Sequence, residues 1–213
     1  MATLDPDLAL EFEAVRDSGE TLLWAGKPHY APYLATAAPM LIFGLLWGAF
    51  DLGFLFMAHA AKAPMGLKVM MIPFFAIHAF PAWGSILYVL YLAASYKNAA
   101  YAITNRRVVL RGGLWAPNFK SFDMDQIAEV DVEVGPLEKL LGCGSVRINT
   151  GRTSSKGATL YDSFVAVDEP YEVYKLLKTT EVDIKTDWNY PNKLRPSDNP
   201  GYRTEYRPDG PRS

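Results

Sequence analysis

Two ionisable side chains, Asp51 and His78, stand inside otherwise uncharged apolar runs. Ionisable groups in such surroundings are costly and mark polar contacts, ion paths or proton relays. Asp51 lies six residues before the end of the run Tyr33–Met57, and His78 nine residues after the start of the run Val69–Ser95. In an antiparallel helix pair their depths would differ by about 5 Å, from the helical rise. One reading pairs them across the helix interface. The other has Asp51 snorkel or bond locally and His78 pack neutral, because one such pair without further polar groups makes no relay.

Charge outside those runs is segregated. Lys97, Arg106, Arg107, Arg111 and Lys120 are the charges from Lys97 to Phe122, all basic, and the six charges from Asp123 to Glu138 are all acidic. A basic juxtamembrane hairpin can engage anionic headgroups, at about 1 kcal/mol per charge near the surface. The alternative is that the basic and acidic hairpins pair across strands and that the cations add the usual positive-inside signal. The stretch GRTSSKG, Gly151–Gly157, offers Arg152 and Lys156 among hydroxyls, either as an anion cradle or as a solvated hairpin loop. Lys97, Arg106, Arg107, Arg111, Arg152 and Lys156 are therefore the candidate lipid or anion contacts.

Catalytic motifs are missing from the sequence. It has no G-x-x-x-x-G-K-[ST] phosphate loop and no G-x-S-x-G elbow. GCGSV displaces the serine, and Cys143 has no histidine nearby in sequence to activate it. His29, His59 and His78 are too scattered to suggest a metal, and one cysteine permits neither a disulfide nor a cysteine-rich zinc site. The expectation is a protein that is not an enzyme and takes no cofactor and no metal. A net charge of −2 argues against a nucleic-acid partner.

The elements that carry these residues follow from patterning. From Tyr33 to Tyr96 the only formal charges are Asp51, Lys62 and Lys68. Each apolar run is long enough to cross about 30 Å of hydrocarbon as a helix. The connector AHAAKAPMGLK is short, which predicts an antiparallel transmembrane hairpin with both termini on one side. Arg16, Lys27, Lys97, Arg106, Arg107 and Arg111 outnumber the two connector lysines, and positive-inside bias places both termini in the cytoplasm. Gly44, Gly48 and Ala49 would allow the first helix to pack closely on a copy of itself.

After Lys97, short segments rich in β-branched and aromatic residues alternate with turn formers, as in an antiparallel meander. In IAEVDVEV, Ile127, Val130, Val132 and Val134 share one face, with Glu129, Asp131 and Glu133 opposite. PLEKLL forms a helical turn ended by Gly142, and DEPYEVYKLLKTT a helix from Asp168, its cap, to Thr180. Pro6–Asp17 forms a short helix capped by Asp5 that packs on the β domain. Lys185–Ser213 has no apolar period and is expected to be extended or disordered.

YAITNRRVVLRGGLW, the acidic strand and PLEKLLGCGSVRINT, in that order, resemble the bacterial pleckstrin-homology-like membrane proteins. The resemblance covers Tyr96–Thr180, the apolar pair and the upstream segment GETLLWAGKP; Cys143 in the glycine turn and the polar loop after Gly151 depart from it. It implies two packed antiparallel sheets capped by a C-terminal helix, and it brings no catalytic residues. The expected organisation is an N-terminal cytoplasmic segment (1–30), a two-helix transmembrane hairpin (31–96), a PH-like β domain (97–184) and a tail (185–213). The expected function is a multi-pass inner-membrane binding or scaffold module that engages membrane lipids, a copy of itself or a membrane protein. The alternative is an accessory subunit of a transport or envelope-stress system that uses Asp51 and His78.

Overall fold

The computed structural model describes residues 6–62, 64–198 and 204. They form two compact units, one of residues 33–97 and one that joins the segments on either side of it.

The larger unit is built on seven antiparallel strands. β1 (Leu22–Gly26), β2 (Ala100–Thr104), β3 (Arg107–Gly112) and β4 (Asn118–Asp123) form one sheet in that order. β5 (Glu129–Glu133), β6 (Cys143–Thr153) and β7 (Thr159–Asp168) form the second. The alternation in β5 holds: Val130 is buried and Val132 half-buried, while Glu129, Asp131 and Glu133 are exposed. Phe164 lies at the centre of the core, stacked on Trp24 at 5.5 Å and on Tyr101 at 5.1 Å.

The first strand comes from upstream of the apolar stretch. Trp24 pairs with Ile103 and Gly26 with Tyr101, so the helical segment is an insertion between two neighbouring strands. The segment delimited as 1–30, whose helix was expected to pack on the β domain, also supplies an edge strand of that domain. A short helix, α1 (Pro6–Glu13), buries Leu8 and Phe12 against Ala25, Ala100, Ala102 and Val109. Its expected cap, Asp5, lies outside the described residues.

The helix after β7 is longer than its apolar stripe suggested. It runs from Pro170 to Asn189, past the expected end at Thr180. Its second half turns Glu181, Asp183, Ile184 and Asp187 inward. Lys178 and Lys185 hold Glu181, and Lys185 also donates to the Ile127 carbonyl at 2.5 Å. Acidic residues at inward positions hide the helical period. Asp168 does not cap this helix; the N-cap is Glu169, in the left-handed region, and Asp168 bonds His29 instead. Beyond the helix, Arg195 is buried and donates to the Tyr190 carbonyl at 2.9 Å and to Asn192 Oδ1 at 2.9 Å. Residues 185–195 are thus helical or folded against the helix end rather than extended. The remainder of the expected tail, except Thr204, lies outside the described residues.

The helical unit takes α2 (Tyr30–Ala35) in part, then α3 (Ala38–Ala60), α4 (Met65–His78) and α5 (Phe80–Ser95). α3 is long and apolar enough to cross a membrane, with only 11% of its most apolar window buried. The second run is not one continuous helix: α4 and α5 meet at a 44° bend. Pro81 has no N–H to continue the ladder. Two indoles take up carbonyls at the break, Trp83 bonding Ala76 O at 3.1 Å and Trp47 bonding His78 O at 2.9 Å. α3 packs on α5 through Gly44, where a Cβ would overlap the Pro81 carbonyl and Ser85 Oγ, and through Gly48 beside Ala82. Gly44 and Gly48, expected to serve self-association, are used within the chain. α6 (Pro136–Leu141) and α7 (Pro170–Asn189) both belong to the β domain.

Candidate functional site

The six candidate cations fall in different places. Arg106 occupies the β2–β3 turn and Arg107 begins β3. Roughly 15–20 Å of strand separates this turn from Ala100, where the chain returns from the helices. Arg107 is committed to the fold. Its guanidinium donates to both oxygens of Glu20, at 3.0 and 2.9 Å, and to the Val15 carbonyl at 2.7 Å, with Asp17 at 3.2 Å.

Glu20 is 2% exposed. Burial alone would raise its pKa. Hydrogen bonds from Arg107, from the Thr104 hydroxyl at 2.6 Å and from the Asp17 N–H at 2.9 Å outweigh burial and hold it below the ordinary carboxylate range. The bond to Glu20 raises Arg107 in turn, against its own burial.

Arg111 bonds Glu11 of α1, and Lys120 bonds Asp162 of β7. Of the cross-strand pairing expected between the basic and acidic hairpins, Arg107 opposite Asp123 occurs, at the β3–β4 edge of the two sets, and the acidic β5 does not pair with the basic strands. β4 pairs with β3, while the acidic β5 pairs with β6 in the other sheet, where Glu133 meets Arg147 at 3.2 Å. The N-terminal carboxylates Glu11, Asp17 and Glu20 are the partners that the sequence reading missed. The stretch GETLLW, which runs into β1, is a signal only once β1 is known to be a strand.

Arg152 and Lys156 are exposed at the far tip of the β6–β7 hairpin. Arg152 bonds Asp162 at 3.2 Å. The N–H groups of Ser154, Gly157 and Ala158 are taken by Ala158 O, Ser154 O and Ser154 Oγ. The loop closes on itself, so those N–H groups are not turned towards an anion. Lys97 is exposed.

Cys143 is buried, and burial, followed by the charges of Glu138 and Asp168, raises its thiol pKa. Ser145 Oγ donates to Glu138 Oε1 at 2.6 Å and accepts from the Ala166 N–H at 2.9 Å. Cys143 Sγ donates to the Glu138 carbonyl at 3.7 Å, so both side chains of the glycine turn act as internal fasteners. Among the described residues, no group of three or more metal-ligating side chains converges.

In the helical unit, His78 Nδ1 lies 2.8 Å from Asp51 Oδ1. Asp51 is 3% exposed, and its Oδ2 is buried without a hydrogen-bond partner. The imidazole lies between Phe74 and Trp47, with ring centroids 5.1 Å from each. The structure brings this pair together at the end of α4, where the helix breaks.

Four-stranded and three-stranded antiparallel sheets followed by a C-terminal helix define the pleckstrin-homology-like class of binding module. The model of the family "Bacterial PH domain" matches residues 40–180, from within α3 to the middle of α7, and the chain belongs to that family. β1 lies outside the matched stretch. No curated protein and no solved structure matches the chain. PH domains are generally non-catalytic binding modules.

Proposed function

We propose that the chain is a membrane-anchored binding module. Its PH-like domain stands at the cytoplasmic face and engages lipid headgroups or a protein partner, held there by a helical insert that crosses the bilayer and returns. One observation carries this reading: the insert begins and ends at the same place. It departs after β1 and returns into β2, the neighbouring strand. At the ends of the helical unit Tyr33 meets Tyr96, with ring centroids 5.7 Å apart.

An insert that starts and finishes on one side crosses a bilayer an even number of times. α3 spans about 35 Å at 1.5 Å per residue, enough for one crossing. α4 and α5, bent at Ala79, then serve together as the return. Bends of this kind are tolerated in membranes where the freed carbonyls find partners, as Trp47 and Trp83 provide here. The excess of Lys and Arg outside the connector favours the cytoplasm for both termini.

Sided labelling tests this. Cysteines introduced as Lys62→Cys in the connector and Lys156→Cys in the β6–β7 loop are challenged with an impermeant maleimide in intact cells whose outer barrier has been opened. The expected result is labelling of the connector alone. Equal labelling of both positions would contradict a crossing insert.

The Asp51–His78 pair supports a second reading, an accessory subunit of a transport or envelope-stress system with a polar contact inside the membrane. Asp51→Asn keeps the shape and removes the charge. It should change function or partner recovery while insertion stays intact; a neutral outcome in both assays rules this reading out.

A further inference from the structure

The β domain carries two large apolar protrusions. Trp115, in the β3–β4 loop, is 92% exposed. Leu140 of α6 is 80% exposed, with Leu137 and Leu141 exposed beside it in sequence. Exposed apolar residues scattered singly need no explanation. The positions of these are not scattered.

The β3–β4 loop lies at one end of its sheet. Gly112 pairs with Asn118 there, next to Arg111 opposite Ala100 and Gly26 opposite Tyr101. Gly26 and Ala100 are the points where the chain leaves for the helical insert and comes back. Asn98 fastens the loop by donating from Nδ2 to the Gly113 carbonyl at 2.9 Å. Asn98 is three residues after the last residue of α5.

In the second sheet, α6 links β5 to β6 at the end where Cys143 pairs with Asp168. His29, on the departing chain, bonds that same end. Its N–H donates to Ala166 O at 2.8 Å, and its ring Nε2 lies 2.6 Å from Asp168 Oδ1. Two unrelated sets of contacts thus put both protrusions at the end of the domain from which the insert springs. Exposed cations at that end of the domain include Lys27, with Glu11 3.9 Å away, and Lys139.

We infer that Trp115 and the leucines of α6 form a two-point footing that lies in the interfacial layer of the bilayer crossed by the insert, its occupant being the lipid surface itself. This rests on the membrane-anchored reading above. An indole suits the headgroup level, because its apolar body and polar N–H meet both sides of that boundary. Lysines at the same end of the domain favour anionic headgroups. The footing fixes the orientation of the domain and leaves the Arg106 turn and the Lys156 loop facing water.

The test uses the full chain reconstituted in vesicles of phosphatidylcholine and phosphatidylglycerol. A fluorescent probe is attached at Trp115→Cys, Leu140→Cys, Lys156→Cys or Leu46→Cys, the last on the exposed face of α3. Nitroxide-bearing lipids and an aqueous quencher are then compared. The footing predicts lipid-phase quenching severalfold stronger at 115 and 140 than at 156, and strongest at 46. Quenching at 46 with probes at 115 and 140 as water-accessible as at 156 overturns the footing and spares the anchor. Probes at 115 and 140 shielded from both quenchers identify a protein or a second copy as occupant and overturn it also. Failure at 46 removes the anchor and the footing together.

Discussion

The β domain and the helical insert both carry many large apolar side chains, and they dispose of them in opposite ways. In the domain, Ile103, Val108, Val146, Phe164, Val173 and Leu177 are fully buried. In the insert, Leu46, Phe50, Phe56, Met70 and Ile77 are each about two-thirds or more exposed, and the groups that are buried include Asp51, Ser85 and Ser95. The pattern is inverted: polar groups face the helix contacts and apolar groups face out. A protein surrounded by water gains from the first arrangement and not from the second. The membrane-anchored reading proposed above accounts for the contrast, since it gives the two units different solvents. The contrast also shows that side chains of the same type hold each unit by different means, apolar burial in one and close helix approach with hydrogen bonds in the other.

Substitutions sharpen this contrast. The largest effect belongs to Phe164→Ala, which empties the centre of the β core and should cost about 3–5 kcal/mol in denaturant unfolding. Next is Gly44→Leu, which drives a side chain into the Pro81 carbonyl and Ser85 and should cost about 1–3 kcal/mol, read as a lower melting temperature of the solubilised protein.

Glu20→Gln should cost about 2 kcal/mol near neutral pH, because Arg107 loses its charged acceptor. Its pH dependence is the sharper readout. Glu20 ionises at lower pH folded than unfolded, so its contribution is present above the ordinary carboxylate pKa of about 4.3. That contribution is lost as pH falls through the folded value. The variant should show a shallower acid limb in a series of melting temperatures. The smallest effect is Leu46→Ala on α3, expected within about 0.5 kcal/mol in detergent although a large apolar group is removed. A core-like loss there would break the contrast.

Strands β2 to β7 were legible in the sequence because β-branched and aromatic runs lie between turn residues, and in β5 because Val130 and Val132 alternate with Glu129 and Asp131. Helical rise put Asp51 and His78 within about 5 Å of each other in depth but left pairing and separate packing both open, and the 2.8 Å contact decides for the pair. Other features needed long-range information. β1 is five residues of LLWAG with no alternation, and only its partner Ala100–Thr104, across the whole insert, identifies it as a strand. Arg107 looks like a surface cation until Glu20, 87 residues away in sequence, is brought beside it. The bend at Ala79 was hidden because Pro73 and Pro81 are both compatible with a continuous membrane helix. Which of them interrupts depends on where Trp47 and Trp83 can reach freed carbonyls.

The central claim, that the insert prefers lipid to water, is tested most directly by where the whole chain goes when membranes are washed. Membranes from cells making the full-length protein are stripped at alkaline pH and sedimented. The chain is predicted to stay with the lipid pellet and to enter solution only with detergent. Recovery as a monodisperse species in the aqueous supernatant, with no detergent present, would contradict the account.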